Sequence, residues 1–177
     1  MRPRRSLVFA FWTSEETGQG GSAHYVRHPL WPLEQTAVYL NLDMIAHPWT
    51  AEEIRKLVTA EDPAVAAQLL ARATPANFAE PGLARWAPEL ADALATAARG
   101  TGMVLHLDRG DGRNGGSDYR SFARRGLPWV RFFGNFFPGY HEPEDTPDRL
   151  DPRQVQRMAR LAFATAWLLA DREAVQH

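Results

Sequence analysis

Residues 6–22 read SLVFAFWTSEETGQGGS. An apolar run without alternation, Leu7 to Trp12, stops at two adjacent glutamates. A glycine-rich stretch follows, and from Ser22 to about Arg27 the pattern turns helical. An apolar run of that length without alternation predicts a strand buried on both faces. A strand leading through a tight loop into a helix is the unit of a parallel α/β sheet. The arginines before the run imitate a secretory leader, but the run is short and meets Thr-Ser-Glu-Glu instead of a small-residue cleavage site. The localisation of the protein is left open.

The same alternation continues along the chain. Ala37–Asp43, Met103–Leu107 and Pro128–Phe133 predict further strands. Glu52–Val58, Pro63–Ala73, Pro88–Arg99 and Ser117–Arg125 predict helices, with Pro63 and Pro88 in first-turn positions. The last helix runs to about Asp171. Asp151, Pro152 and Gln154 suit its N-cap, N1 and N3 positions, a capping-box arrangement. These elements predict a three-layer α/β/α sandwich with a mostly parallel central sheet. Residues 1–177 form one domain in this reading, with a helical stretch at about 47–100. In such sheets chemistry gathers beyond the carboxyl ends of the strands. Glu15, Glu16 and Asp43 stand at two of those ends, and His141 follows a third.

Composition narrows the chemistry. With 177 residues, 45% apolar and 23% charged, the chain has the make-up of a globular domain. A net charge of -1 without a basic cluster predicts no nucleic-acid partner. No apolar run is long enough to predict a membrane-spanning helix. With no cysteine, any metal must be held by His, Asp and Glu. Paired carboxylates repel, so keeping both calls for a reason. A hydrolytic zinc site needs carboxylate or imidazole ligands and a base that is not a ligand. Two neighbouring glutamates can divide those roles, and the cation offsets their repulsion.

Four segments sharpen this. RSLVFAFWTSEETGQGGSAHYV resembles the "EE-x-G-x-x-GS" region of the co-catalytic zinc aminopeptidases, metallopeptidase family 28. That family includes bacterial leucyl aminopeptidases, with glutamate carboxypeptidase a relative. NLDMIA is similar to its "N-x-D-M-I-G" segment. GGSDYRSFARRGLPWVRFF is similar to its "SD-(H/Y)-x-x-F-x-x-x-G-(I/L)-P" stretch, and GYHEPEDTPDRLD to its "YH-x-x-x-DT-x-D-x-(I/L)" close. The resemblance implies a zinc-dependent aminopeptidase acting on peptides, with two zincs in the intact site. Glu15 matches the general base. Glu16 and His141 match ligands of one zinc, and Asp43 a ligand of the other. Tyr140 matches a position that helps polarise the scissile carbonyl in some relatives. Asp118 and Asp145 match groups that hold a ligand side chain or fix a turn.

The resemblance also implies an "H-x-D" motif and a bridging aspartate upstream. The fourteen residues before Glu15 hold no His and no Asp. The chain therefore reads as the C-terminal part of a catalytic domain, N-terminally truncated and incomplete for catalysis by itself. An unpaired sheet edge, open to self-association, is expected to follow. Two other functions fit the same motifs: a glutaminyl-cyclase-like acyltransferase using one zinc, and a non-catalytic peptidase-like module.

Overall fold

The computed structural model describes residues 2–172. A four-stranded sheet forms its centre, in the order β1-β6-β3-β5. These strands are β1 (Tyr39–Asp43), β3 (Gly82–Ala84), β5 (Asp108–Gly110) and β6 (Trp129–Phe133). β1 runs parallel to β6, and β3 parallel to β5; β3 and β6 are antiparallel. β2 (Phe78–Ala79) and β4 (Val104–Leu105) pair in parallel as a small second sheet. The apolar run at 103–107 thus supplies only β4, and β5 follows it directly.

Helices cover the sheet because their apolar residues fall on one face. In α4 (Pro88–Thr101) the buried residues are Leu90, Ala93, Leu94, Ala97 and Ala98, a helical stripe. Pro88 occupies the first turn, and Gly102 ends the helix in left-handed conformation with its N–H on the Ala98 carbonyl. α4 packs against α6 (Pro152–Asp171), whose Met158, Leu161 and Leu169 join Val130 and Phe132 of β6 in the main core. Asp151 caps α6 by accepting from the Arg153 N–H at 2.8 Å. The expected reciprocal half is missing, because Gln154 is buried and its Oε1 accepts from Arg157. The complete capping box lies at α2 (Ala51–Val58), between Thr50 and Glu53.

α2 and α3 (Pro63–Leu70) carry a smaller core of their own, in which Ile54, Val58 and Ala66 meet Phe78. His106 ties this unit to the rest. Its Nε2 lies 2.8 Å from Glu61 Oε1 and its Nδ1 lies 3.3 Å from Glu80 Oε1.

The first expected strand is not one. Residues 7–12 carry no strand assignment, and Val8, Phe9 and Phe11 are exposed. A strand needs a partner for its N–H and C=O groups, and among the described residues none lies beside this stretch. β1 is accordingly an edge strand of the sheet. Trp12 alone turns inward, against Tyr25 and Phe122.

Candidate active site

Parallel register places the site. Asp43, the last residue of β1, is level with Phe133, the last residue of β6. The loop that carries Tyr140 and His141 therefore leaves the same end of the sheet that Asp43 marks. Gly134 makes the exit possible. A Cβ there would lie 2.5 Å from the His47 carbonyl oxygen and 2.6 Å from that of Met44, and neither backbone atom can swing away. Its N–H instead donates to Met44 O at 3.2 Å.

The two glutamates reach this end in a tight loop. Gly18 and Gln19 N–H groups both donate to Glu15 O, Gly20 N–H to Ser14 O, and Gly21 N–H to Thr13 O, at 2.9–3.0 Å. The loop leads into α1 (Gly20–Tyr25), which packs on α5 (Tyr119–Ala123). Ser22 Oγ and Ser121 Oγ are 2.9 Å apart between the two helices. An aromatic group holds the loop's base: Tyr39 stacks on Phe122 with centroids 3.8 Å apart, and Trp12 Nε1 donates to Tyr39 Oη at 3.0 Å. Tyr39 Oη donates to Asn41 Oδ1, and Asn41 Nδ2 to Ser117 Oγ.

The expected ligands come together in part. Glu16 Oε2 lies 3.1 Å from His141 Nε2, and both side chains are open to solvent. Two donors at about 2.0–2.1 Å from a tetrahedral zinc are roughly 3.3 Å apart, so this spacing fits one edge of a zinc tetrahedron. Asp43 is not part of that pair. It lines an adjacent cavity of about 80 Å³ with Tyr140, Tyr119, Arg131 and Phe136. Among the described residues, no group of three or more His, Asp or Glu side chains could hold a metal. The donors present therefore fit a corner of a zinc site and fall short of the three ligands that catalytic zinc uses.

Tyr140 stands between the two halves. Its ring stacks on His141 with centroids 3.8 Å apart. Partial burial, and then the charges of Glu16, Asp43 and Glu15, hold its phenol above the usual tyrosine range. A protonated phenol can donate to a developing oxyanion. Asp118, at the N-cap of α5, is within electrostatic reach of Asp43. Burial, with Asp43's charge added, raises its carboxyl above the usual range. Its Oδ1 is buried without a partner. Asp145 sits in the exposed loop after His141, its N–H on Glu142 O. His24 and His28 are exposed, on α1 and just beyond it, and their rings face each other with centroids 4.8 Å apart.

Two features escaped the sequence reading. The non-glycine residues with positive φ, among those described, are Ser14 (60°), Gln19 (56°), Met44 (50°) and His141 (61°). Each is a candidate ligand or lies within a few residues of one, and strained backbone of this kind gathers at functional sites. Ser14, Gln19 and Met44 are not residue types whose letter announces a left-handed turn, and only His141 belongs to a type enriched there. The second feature is Gln19, buried at 6% exposure. Its Nε2 donates to Glu15 Oε1 at 3.1 Å, and its Oε1 accepts from Arg120 of α5.

Comparison with known proteins bears on family and fold. A family model described as peptidase family M28 matches residues 1–166. No curated protein matches the chain. Solved structures with the same fold include an aminopeptidase from Aneurinibacillus sp. strain AM-1, at 19% identity and a TM-score of 0.64. A zinc aminopeptidase from Bacillus subtilis shows 24% identity and a TM-score of 0.61, and the LapA aminopeptidase of Legionella pneumophila 19% and 0.60. They cover 93%, 94% and 93% of this chain, in that order, while the chain spans only 34%, 36% and 39% of theirs. At these identities the likeness is one of fold.

Proposed function

The chain belongs to peptidase family M28, and from that premise we propose that it carries the general base and part of the metal ligation of a zinc-dependent aminopeptidase. The observation that carries this reading is the 3.1 Å approach of Glu16 to His141, from distant parts of the sequence, with Glu15 the residue before Glu16. Glu16 and His141 would hold one zinc, and Asp43, at the neighbouring strand end, would supply a ligand to a second. Zinc, when bound, supplies Lewis acidity toward water and the scissile carbonyl.

Glu15 follows Glu16's partner role with a different one. Its carboxylate is tied through Oε1 to Gln19, and takes the proton of the attacking water. A peptide N-terminal residue is the substrate, its carbonyl placed near Tyr140. The phenol, kept above the usual tyrosine range by partial burial and then by the charges of Glu16, Asp43 and Glu15, donates to the oxygen that gains charge. The small cavity beside Asp43 and Tyr140 accommodates part of the residue being removed.

The test contrasts the two glutamates in a version of the protein supplied with the upstream ligands that the family resemblance implies, zinc-loaded and hydrolysing a leucyl anilide. Glu15→Gln keeps the shape and removes the base. Turnover should fall by about two to four orders of magnitude with zinc content unchanged. Glu16→Gln should lose zinc together with turnover. Near-normal turnover in both variants would leave the pair as an ordinary solvated loop and end the proposal.

A further inference from the structure

Gln19 has an unusual setting for a glutamine. It is nearly fully buried and sits in left-handed conformation, φ 56° and ψ 43°, at the N-cap of α1. Its side chain makes no cap bond to the helix. Both ends of the side-chain amide are used elsewhere, on Glu15 and on Arg120. Arg120 has donors only, so the amide oxygen must face it and the NH₂ must face Glu15. The guanidinium thereby fixes which way the amide points. The main chain repeats the connection: Gln19 N–H donates to Glu15 O at 2.9 Å, and Ser22 Oγ donates to Gln19 O at 3.2 Å. Ser22 in turn meets Ser121, the residue after Arg120.

We infer that Gln19 is a positioning residue for Glu15, held in place by Arg120. The inference rests on the reading of Glu15 as general base. A carboxylate at the end of a flexible side chain has many rotamers, and fixing one oxygen leaves the other aimed in one direction. Gln19 supplies that fixation with a neutral donor, so the carboxylate keeps its charge and a free lone pair for the proton. Arg120 supplies the guanidinium at one remove, where it does not pair directly with the base.

The experiment uses the full chain and two variants, Gln19→Glu and Arg120→Met. The first keeps the size of Gln19 and its acceptor toward Arg120 but turns an acceptor toward Glu15. The second leaves the amide free to rotate. Circular dichroism checks that each variant folds. Side-chain scalar couplings of Glu15, read by NMR, report its χ1 distribution without reference to activity. A single rotamer in the wild type and averaged couplings in both variants are expected. In a zinc-loaded form that hydrolyses a leucyl anilide, kcat should fall by about tenfold to a hundredfold in both, with KM unchanged. Averaged couplings already present in the wild type, or unchanged couplings in folded variants, would overturn the positioning role. A single rotamer in the wild type and averaged couplings in the variants, with no loss of kcat, would instead refute Glu15 as the base while leaving its contact with Gln19 intact.

Discussion

Gly21→Ala should destabilise the protein although it adds one methyl group to a helix. The added Cβ would lie 2.8 Å from both Thr13 N and Thr13 O and 3.3 Å from Trp12 Cβ. The two nearest atoms are backbone, so the loop itself must move by a few tenths of an ångström. Gly21 N–H also donates to Thr13 O, and that movement strains the bond that closes the loop. Overpacking of this kind costs about 1–3 kcal/mol, and a weakened hydrogen bond adds roughly 0.5–1.5 kcal/mol. Helix propensity returns up to about 1 kcal/mol. The expected net is a loss of about 1–3 kcal/mol. Gly100→Ala is the control, because the same change inside α4 meets nothing within 4 Å. It should stabilise by about 0.5–1 kcal/mol. Urea unfolding of the two variants beside the wild type measures both. Equal stability of Gly21→Ala and wild type would refute the view that Gly21 is required by close backbone approach.

His106 gives a pH dependence with a definite sign. Hydrogen bonding to Glu80, with Glu61 adding to it and burial opposing, raises its pKa above the ordinary histidine value. A raised folded-state pKa stabilises fully below the unfolded value of about 6.5, and the contribution is lost as pH rises through the folded value. The urea midpoint should therefore fall more between about pH 6 and 8 in the wild type than in His106→Gln, and parallel curves would exclude the clip. Zinc should bind this chain weakly, since Glu16 and His141 offer two donors and, among the described residues, no group of three or more His, Asp or Glu side chains could hold a metal. Calorimetry should show a shallow isotherm that His141→Ala abolishes; two tight, stoichiometric sites would show that further ligands converge there.

Much of the architecture was legible because it is written in local pattern. β1, β6, α4 and α6 announce themselves by apolar runs, helical stripes, prolines in first turns and an N-cap aspartate. β3 and β5 do not, since Gly82–Ala84 and Asp108–Gly110 are three residues each and carry no period. Leu7–Trp12 shows the limit from the other side. Its letters are those of a buried strand, but strand formation depends on a neighbour, and apolar content cannot supply one. The Glu16–His141 approach was legible because both residues fall in motifs whose order is informative. Gln19 was not, because its meaning depends on Arg120, which is 101 positions away and reaches it only once α1 lies on α5. The half-formed cap of α6 has a similar cause: Gln154 had a buried alternative in Arg157 that three-residue spacing does not reveal.

The division of the apolar interior into three clusters has a kinetic meaning. Ile54, Val58, Ala66 and Phe78 touch one another and not the cluster built on Leu83, Leu94, Val130 and Leu161. A region with its own small core can open while the larger one stays shut, because few apolar contacts are broken at its border. Amide protons of α2 and α3 should then exchange with deuterium in an earlier tier than those of α4 and α6. A protease added to the native protein would find its first sites between residues 47 and 77. The glutamate loop belongs to neither tier by packing alone, for it is held by Trp12, Tyr25 and Phe122 against Val26 and Leu127. Its exchange should follow α5, so that the base stays ordered while the helical segment beside it breathes.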